Sequence, residues 1–265
     1  MRRRSSWSIS VIALSVLGVL VGCKSNDAGK RVQGDKAMTV ASPTSAPPDP
    51  VTEGTVSGVI NFSGRAPAPV KIDMSMDPVC SMTGGDNFAE QYVVHNGKLA
   101  NVYVYVKSGP PVAMSASSPV PPPVVMDQIG CKYIPHIVAI MRGGSVEFRN
   151  SDSTMHNIHT LPTDGNPSID ISQGPKGSPQ VKQFNQPEVM MPVRCNNHPW
   201  MNAFINVSAT PFFAVTGPDG RFSLRGLPAG TYTLAAVHEK MGEQTLTVTV
   251  EPKETAKADF NFGIK

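Results

Sequence analysis

The stretch Cys195-Asn-Asn-His198-Pro-Trp-Met201 does most to decide what this chain can be. It places a thiolate, an imidazole and a thioether on one short loop. The upstream run Asn150-Ser-Asp-Ser-Thr-Met-His156 offers a second imidazole. Two imidazoles, one thiolate and a weak axial thioether hold copper in a geometry between those that its two oxidation states prefer. These residues predict one type 1 copper ion that passes single electrons.

Other metals fit the same residues less well. A Cys-x2-His pair alone also suits zinc, but a structural zinc site takes a second thiolate or a third imidazole at a matching spacing. Two further histidines are candidates for supporting roles. His159 lies three residues after His156, so on a strand its side chain faces the other side of the sheet. His136 lies near Cys131. His159 is expected on the surface or beside the ligands, and His136 beside the ligands or as an additional ligand, with an ordinary core or surface histidine as the alternative. Either becomes the ligand if His156 is not.

The region after residue 53 has the pattern of an all-β protein. Segments rich in β-branched and aromatic residues alternate with turns, and there is no long amphipathic helix. The turn His95-Asn-Gly-Lys98 favours a hairpin because Asn and Gly tolerate positive φ. Residues 162–180, rich in Pro and Gly, are predicted to form a long surface loop.

The N-terminus has the features of an export signal. Three arginines precede an apolar run from Trp7 to Val21, which is shorter than the roughly 20 apolar residues of a membrane span. The ending Leu-Val-Gly-Cys23 resembles the bacterial lipobox. That resemblance implies cleavage after residue 22, lipid on Cys23, and anchoring to the cell envelope, on the periplasmic side or at the cell surface. The alternative is an ordinary signal in which Cys23 is incidental.

The remaining cysteines follow from this assignment. The chain has four cysteines, and export places it in an oxidising compartment. With Cys23 assigned to lipid and Cys195 to metal, Cys80 and Cys131 are left. We predict that they form a disulfide; the alternative is two buried thiols.

Charge and composition limit the partners. Removing the three signal arginines from 23 basic residues leaves 20, against 20 acidic ones. A nearly neutral chain has no basic stripe for phosphates, so nucleic acid is not an expected partner. Residues 23–53 contain few large apolar side chains and are predicted to be a disordered tether to the membrane.

The C-terminal part resembles a carboxypeptidase-regulatory-like, transthyretin-like β-sandwich. Its short strands are separated by the turns Asp219-Gly220 and Pro228-Ala-Gly230. The usual opening strand of that module is similar to residues 54–64, far upstream. The resemblance therefore implies a split domain, 54–114 with 210–265, interrupted by a linker at 115–123 and a central unit at 124–209.

The central unit resembles a cupredoxin, and its ligand loop is similar to that of the amicyanin branch. Together the two resemblances imply a Greek-key cupredoxin sandwich inserted in, or joined to, a second small transthyretin-like sandwich. The cupredoxin resemblance implies imidazole ligands at His156 and His198, a short thiolate bond at Cys195 and a long axial contact at Met201. It also implies that Asn150 ties the ligand loops together.

The same resemblance implies where electrons enter and leave. In cupredoxins the imidazole of the ligand loop reaches the surface inside an apolar patch. Met155, Pro199 and Trp200 flank the corresponding ligands here. We expect a redox protein, such as a cytochrome or a dehydrogenase, to dock on these three residues in a brief encounter.

Two other classes of function stay open. Met74, Met76 and Met82 surround Cys80 and offer soft thioethers to Cu(I), which favours copper trafficking; packing is the other reading of these side chains. A structural surface lipoprotein with a metal-free fold is the third class. An enzyme is not expected, because the sequence shows no nucleophile–base set and the copper site leaves no position for substrate.

Overall fold

Alternation of apolar and polar residues produces nearly all of the regular structure. The computed structural model describes residues 53–83 and 87–264. Cys23, the signal and the tether lie outside these residues, except Glu53, which begins the first strand. In chain order the elements are β1 (Glu53–Ser63), α1 (Pro78–Ser81), β2 (Val94–His95), β3 (Lys98–Leu99), β4 (Tyr103–Ser108), α2 (Pro111–Met114), β5 (Val124–Ile129), β6 (Lys132–Ile134), β7 (Ile137–Met141), β8 (Ser145–Asn150), β9 (His156–Thr160), β10 (Asp170–Gln173), β11 (Gln180–Gln183), β12 (Glu188–Arg194), β13 (Asn202–Ser208), β14 (Phe213–Val215), β15 (Arg221–Pro228), β16 (Gly230–His238), β17 (Gly242–Val250), β18 (Thr255–Lys257) and β19 (Phe260–Gly263). The predicted all-β class is confirmed.

One β-sandwich joins the first strand to the C-terminal strands. In one sheet β1 pairs antiparallel with β15 and β3 and parallel with β18 and β19, and β2 pairs with β3. The facing sheet has the order β14-β4-β16-β17. Val56 and Ile60 of β1 meet Leu234 of β16 in an apolar core. We call this the first sandwich. Its opening strand and its closing strands are about 160 residues apart in sequence, yet they form one sheet.

A second sandwich is formed by the strands between them. Its five-stranded sheet has the order β10-β9-β12-β13-β7, and its four-stranded sheet has the order β11-β8-β5-β6. Phe148, Ile158 and Ile205 fill the space between the two sheets. In the five-stranded sheet, β9 and β13 flank β12. His156 begins β9, and the loop that carries the other predicted ligands joins β12 to β13.

The segment between β1 and β2 crosses from one sandwich to the other. Met74 and Cys80 are buried in the core of the second sandwich, and a disulfide joins Cys80 to Cys131. The predicted disulfide is confirmed. The domain boundaries stay predictions, but this part of 54–114 packs on the second sandwich and not on the one to which it was assigned.

Two local predictions have different outcomes. The hairpin turn is confirmed, since Asn96 and Gly97 both have positive φ between β2 and β3. The predicted loop at 162–180 is wrong in part, because it contains β10, which pairs with β9. No helix in the two described ranges is long and apolar enough to cross a membrane.

Candidate metal centre

The ligand loop is a tight connection between two adjacent strands. It leaves β12 after Arg194 and enters β13 at Asn202. The backbone N–H of Cys195 donates to the carbonyl of Met201 (3.2 Å), and that of Met201 donates to the carbonyl of His198 (2.9 Å). These two bonds fold the loop back on itself. As a result the side chains of all three residues are buried.

The second imidazole comes from the start of β9, next to this loop. The distance between His156 Nδ1 and His198 Nδ1 is 3.0 Å, and Cys195 Sγ lies 3.6 Å from His198 Nδ1. One donor atom from each of the three residues lies within 4.8 Å of the other two. Met201 is 1% exposed and packs in the same core. The four residues predicted as ligands are therefore buried, and three of them are gathered around one point.

The surroundings of Cys195 favour the thiolate form of its side chain. It is buried and takes no part in a disulfide. Burial raises its pKa, but hydrogen bonds from His156 and from the backbone N–H groups of Asn157 and Asn197 outweigh burial and lower the pKa to about 7. The N–H of Asn157 donates to Sγ at 3.3 Å. Thiolate is the form that binds metal.

A carboxylate holds the outer nitrogen of His156. Asp152 Oδ2 lies 2.8 Å from His156 Nε2, and the N–H groups of Gly130 and Cys131 donate to the two oxygens of the same carboxylate. Burial lowers the pKa of His156, but Asp152 and Cys195 more than compensate and raise it to about 9. Because a carboxylate only accepts, Nε2 carries the proton, and Nδ1 faces Cys195 and His198.

Asn150 connects the segments around His156. The two hydrogens of its side-chain amide are shared among the carbonyl oxygens of Thr154, Gln173 and Gly174, which lie 2.9 to 3.1 Å from Nδ2. Its Oδ1 accepts from the N–H of Asp152. A buried side chain with all these bonds satisfied fixes the turn before β9, because breaking any of them leaves a buried polar group unpaired.

The outer edge of His198 is covered by the segment from residue 72 to 83, which we call the cap. His198 Nε2 lies 3.0 Å from Asp77 Oδ2 and 3.8 Å from Cys80 Sγ. The imidazole is 3% exposed. The expectation that this imidazole reaches the surface is therefore wrong, because the disulfide at Cys80 brings the cap over it.

The three predicted docking residues lie in different environments. Met155 and Pro199 are exposed. Trp200 is half-buried, with its ring 5.1 Å from that of His198 and its N–H donating to the carbonyl of Cys131 (3.1 Å). Trp200 therefore lies between the backbone of Cys131 and the ring of His198. This packing limits how much of Trp200 a partner could contact.

Neither supporting histidine replaces a predicted ligand. His159 Nδ1 lies 3.0 Å from Asn196 Oδ1, beside the ligand loop. His136 Nδ1 lies 3.2 Å from the carbonyl oxygen of Asn202, and its Nε2 lies 2.6 Å from Glu239 Oε1. The ring of His136 thus connects the second sandwich to the first, instead of contacting the three gathered donors.

Two carboxylates of the site were missed at the sequence level. Asp152 lies four residues before His156, within the run from Asn150 to His156. This spacing could have indicated a carboxylate beside the imidazole. Asp77 lies 121 residues before His198. Its only signal in the sequence is its position three residues before Cys80. That signal cannot be interpreted without knowing how the disulfide folds the chain.

The donor set fits a copper ion. Nitrogen and sulfur ligands roughly 2.0–2.3 Å from a metal lie about 3–4 Å from each other. Two of the three donor distances here are 3.0 and 3.6 Å, and all three are within 4.8 Å. Only one thiolate is available, since the other two cysteines in the described residues form the disulfide. One thiolate with two imidazoles, and a thioether carried by the same short loop, is the set that suits copper better than zinc.

One family model matches the C-terminal part of the chain. Residues 194–263 match the carboxypeptidase regulatory-like domain family. The match begins at the last residue of β12 and runs through the ligand loop and β13 into the first sandwich. It covers about a quarter of the chain. No curated protein matches the chain significantly.

Three solved structures that are similar to part of this chain have copper or cupredoxin in their descriptions or are amicyanin. A copper-containing nitrite reductase from Thermus scotoductus is 26% identical, with 37% of this chain and 25% of that one covered and a TM-score of 0.31. An amicyanin variant in its Cu(I) form is 19% identical, with 40% and 98% covered and a TM-score of 0.30. A purple cupredoxin from Nitrosopumilus maritimus is 22% identical, with 32% and 99% covered and a TM-score of 0.27. The chain thus spans a quarter of the reductase and nearly all of the two small cupredoxins.

Proposed function

We propose that this protein is an exported, lipid-anchored electron carrier in which His156, Cys195, His198 and Met201 hold one type 1 copper ion. The observation that carries the proposal is the buried group of one thiolate and two imidazoles, with donor atoms within 4.8 Å of one another. When bound, copper supplies a one-electron couple between Cu(I) and Cu(II).

The protein contributes a cage that does not have to rearrange. Both imidazoles are fixed at their outer nitrogens, the loop is closed by its own backbone bonds, and the thiol receives an N–H bond. Burial of all four side chains excludes water. A rigid, dry donor set keeps the geometry constant when one electron is added or removed, which is what an electron carrier requires.

The direct test is copper loading of soluble protein that begins after Cys23. We expect one tightly bound copper per chain and an intense thiolate-to-copper charge-transfer band that disappears on reduction and returns on oxidation. Zinc loading of the same protein is the control. Copper binding without such a band contradicts an electron-transfer site and favours copper handling. Tighter binding of zinc than of Cu(I) favours a zinc protein, and no metal binding at all leaves the metal-free lipoprotein.

Copper handling is a second candidate, favoured by two exposed thioethers on the cap. Met76 is 73% exposed and Met82 is 76% exposed. Met74, in contrast, is buried, and its sulfur accepts from the amide of Asn87 (3.4 Å). Stoichiometry separates the candidates. Two or more Cu(I) ions per chain, reduced to one in a Met76→Leu/Met82→Leu variant, would favour trafficking.

Anchoring and partner docking complete the proposal. Lipid on Cys23 would hold the protein at a membrane, and a Cys23→Ser variant should be released into the soluble fraction of the envelope. A redox partner would meet the exposed apolar surface at Met155 and Pro199. Met155 is 50% exposed and adjoins the ligand His156. Met155→Lys should slow electron exchange with the partner and leave the copper band unchanged.

A further inference from the structure

The cap is attached at several points to the end of the second sandwich where the candidate ligands lie. Met74 is 5% exposed and packs in the second core, with Ile72 against it. The disulfide then fixes Cys80 to Cys131, between β5 and β6. Backbone bonds from Ile72 to Asn87 and from Ala89 to Val70 close the base of the cap. The residues between these anchors are therefore held over the ligands.

Asp77 is the cap residue that reaches the ligands, and both of its oxygens are used. Oδ1 accepts from the N–H groups of Val79 (2.7 Å) and Cys80 (3.2 Å), which makes Asp77 the N-cap of α1. Oδ2 accepts from the hydroxyl of Thr154 (2.9 Å) and lies 3.0 Å from His198 Nε2. One carboxylate thus connects the cap, the turn before β9 and the ligand loop.

These bonds determine which nitrogen of His198 is free. A carboxylate oxygen only accepts, so the proton of the neutral imidazole lies on Nε2. Nδ1 then carries the lone pair and points at Cys195 and at His156 Nδ1. Asp152 imposes the same orientation on His156. Each predicted imidazole ligand therefore has a carboxylate hydrogen-bonded to its Nε2.

We propose that Asp77 is a positioning residue for this centre: it holds His198 with Nδ1 toward the metal and stabilises the more positive oxidation state. The inference rests on the proposed function. A carboxylate hydrogen-bonded to a ligand imidazole makes that ligand more basic, and loss of such a partner typically costs 10–100-fold in metal affinity or activity. A negative charge close to the metal also favours Cu(II) over Cu(I), and it does so strongly in a site with little water.

The test compares Asp77→Asn with Asp73→Asn in copper-loaded protein. Asn caps a helix as well as Asp does, so α1 should keep its N-cap while the charge and one acceptor are lost. Asp73 lies four residues earlier in the cap, and its carboxylate accepts from the N–H of Ser75, away from the ligands. It therefore controls for loss of one charge from the cap.

For Asp77→Asn we expect about a tenfold fall in the preference for Cu(II) over Cu(I), which raises the reduction potential by about 59 mV for one electron. We also expect a larger fraction of protein that binds azide, because His198 is held less firmly. Asp73→Asn should match the wild type in both measurements. Equal potentials and equal azide affinities in the two variants would overturn the proposal.

A second measurement needs no metal. In the unloaded protein, nitrogen NMR of the His198 ring should show the proton on Nε2 in the wild type and in Asp73→Asn, and a mixture of tautomers in Asp77→Ala. An unchanged tautomer in Asp77→Ala would also overturn the positioning role. If the wild type shows no thiolate-to-copper band, the proposed function fails, and this measurement still decides whether Asp77 positions His198.

Discussion

The two sandwiches of this chain differ in what they bury. Of sixteen buried polar side chains in the described residues, thirteen lie between residues 124 and 209, in the second sandwich. The core of the first sandwich is apolar, with Val56, Leu224 and Leu234 at its centre. Burying a polar group costs free energy unless it is fully hydrogen-bonded. The second sandwich carries that cost at two places: at the end that gathers the candidate ligands, and at the opposite end of β12, where Asn166 donates to Glu188.

The two sandwiches thus separate the residues that stabilise the fold from those that arrange the candidate site. In the first sandwich each buried side chain contributes mainly transfer free energy and packing. In the second, Asn150, Asp152 and Gln173 form bonds that fix loops instead of filling space. We therefore expect substitutions in the first sandwich to change stability alone, and substitutions at the metal end to change spectra and potentials first.

The largest expected effect is at Cys195. Cys195→Ser should abolish the thiolate-to-copper band completely, because a hydroxyl does not donate charge to copper as a thiolate does. The fold should persist, since serine has nearly the same size. Absorption spectra after copper loading measure the first effect, and thermal unfolding of the unloaded protein checks the second. A blue Cys195→Ser protein would remove this residue from the site and erase the distinction between the two sandwiches.

A core truncation in the first sandwich should have the opposite signature. Leu234 is fully buried at the centre of β16. Leu234→Ala should lower the free energy of unfolding by roughly 2–5 kcal/mol, through lost burial and the cavity left behind. The copper band should not change. Urea unfolding and absorption spectra of the same sample measure both quantities.

A core truncation in the second sandwich is the counterpart of Leu234→Ala. Val193 is fully buried on β12, two residues before Cys195. Val193→Ala should cost less stability than Leu234→Ala because it removes fewer atoms, but it should shift the copper band, because β12 carries the thiolate. If Leu234→Ala alters the band and Val193→Ala does not, the separation of roles is wrong.

The disulfide tests whether the cap belongs to the second sandwich. It closes a loop with a sequence separation of 51 residues. A Cys80→Ala/Cys131→Ala variant should lose about 2–4 kcal/mol of stability, because the unfolded chain is no longer constrained. It should also bind exogenous azide more readily, since the cap is less firmly held over His198. Unloaded wild-type protein treated with a strong reductant is the control for stability, and its free energy of unfolding should approach that of the variant.

The ligand loop, the hairpin turn and the disulfide could be predicted from sequence, because each depends on a short or simple pattern of residues. The Cys195 to Met201 loop, the His95–Lys98 turn and the cysteine count each depend on residues that are close together or few in number. The strand β10 was missed because Pro and Gly on both sides favour a loop, while pairing with β9 decides the structure. Tertiary pairing of this kind has no local signature.

The covering of His198 could not be predicted for a similar reason. The sequence gives Pro199 and Trp200 as apolar neighbours, which suggests an exposed patch. The residues that cover the imidazole come from the cap, more than 100 positions upstream, and the disulfide delivers them. Knowing that Cys80 pairs with Cys131 is not enough, because only the direction of the chain at α1 shows that Asp77 faces His198.

The smallest expected effect concerns His238, a rare buried polar residue of the first sandwich. Its side chain is 1% exposed, and its Nε2 has no hydrogen-bond partner in the part of the chain that the structure describes. Burial lowers its pKa to about 4; the charge of Glu239 opposes this, while His136 and Lys240 add to the lowering. The unfolded chain takes up a proton below pH ~6.5, whereas the folded protein does so only near pH 4. Unfolding therefore binds a proton between these values.

The contribution of His238 to stability is thus fully present above pH ~6.5 and is lost as the pH falls toward 4. The loss is at most about 1.4 kcal/mol per pH unit. His238→Gln removes the titrating group, so the unfolding free energy of the variant should fall less than that of the wild type between pH 7 and pH 5. His95→Gln, in the exposed β2–β3 turn, is the control and should follow the wild type. Because His238 lies on β16 in the first sandwich, the copper band of His238→Gln should match the wild type at both pH values. Parallel pH curves for His238→Gln and the wild type would show that this histidine keeps its ordinary protonation when buried.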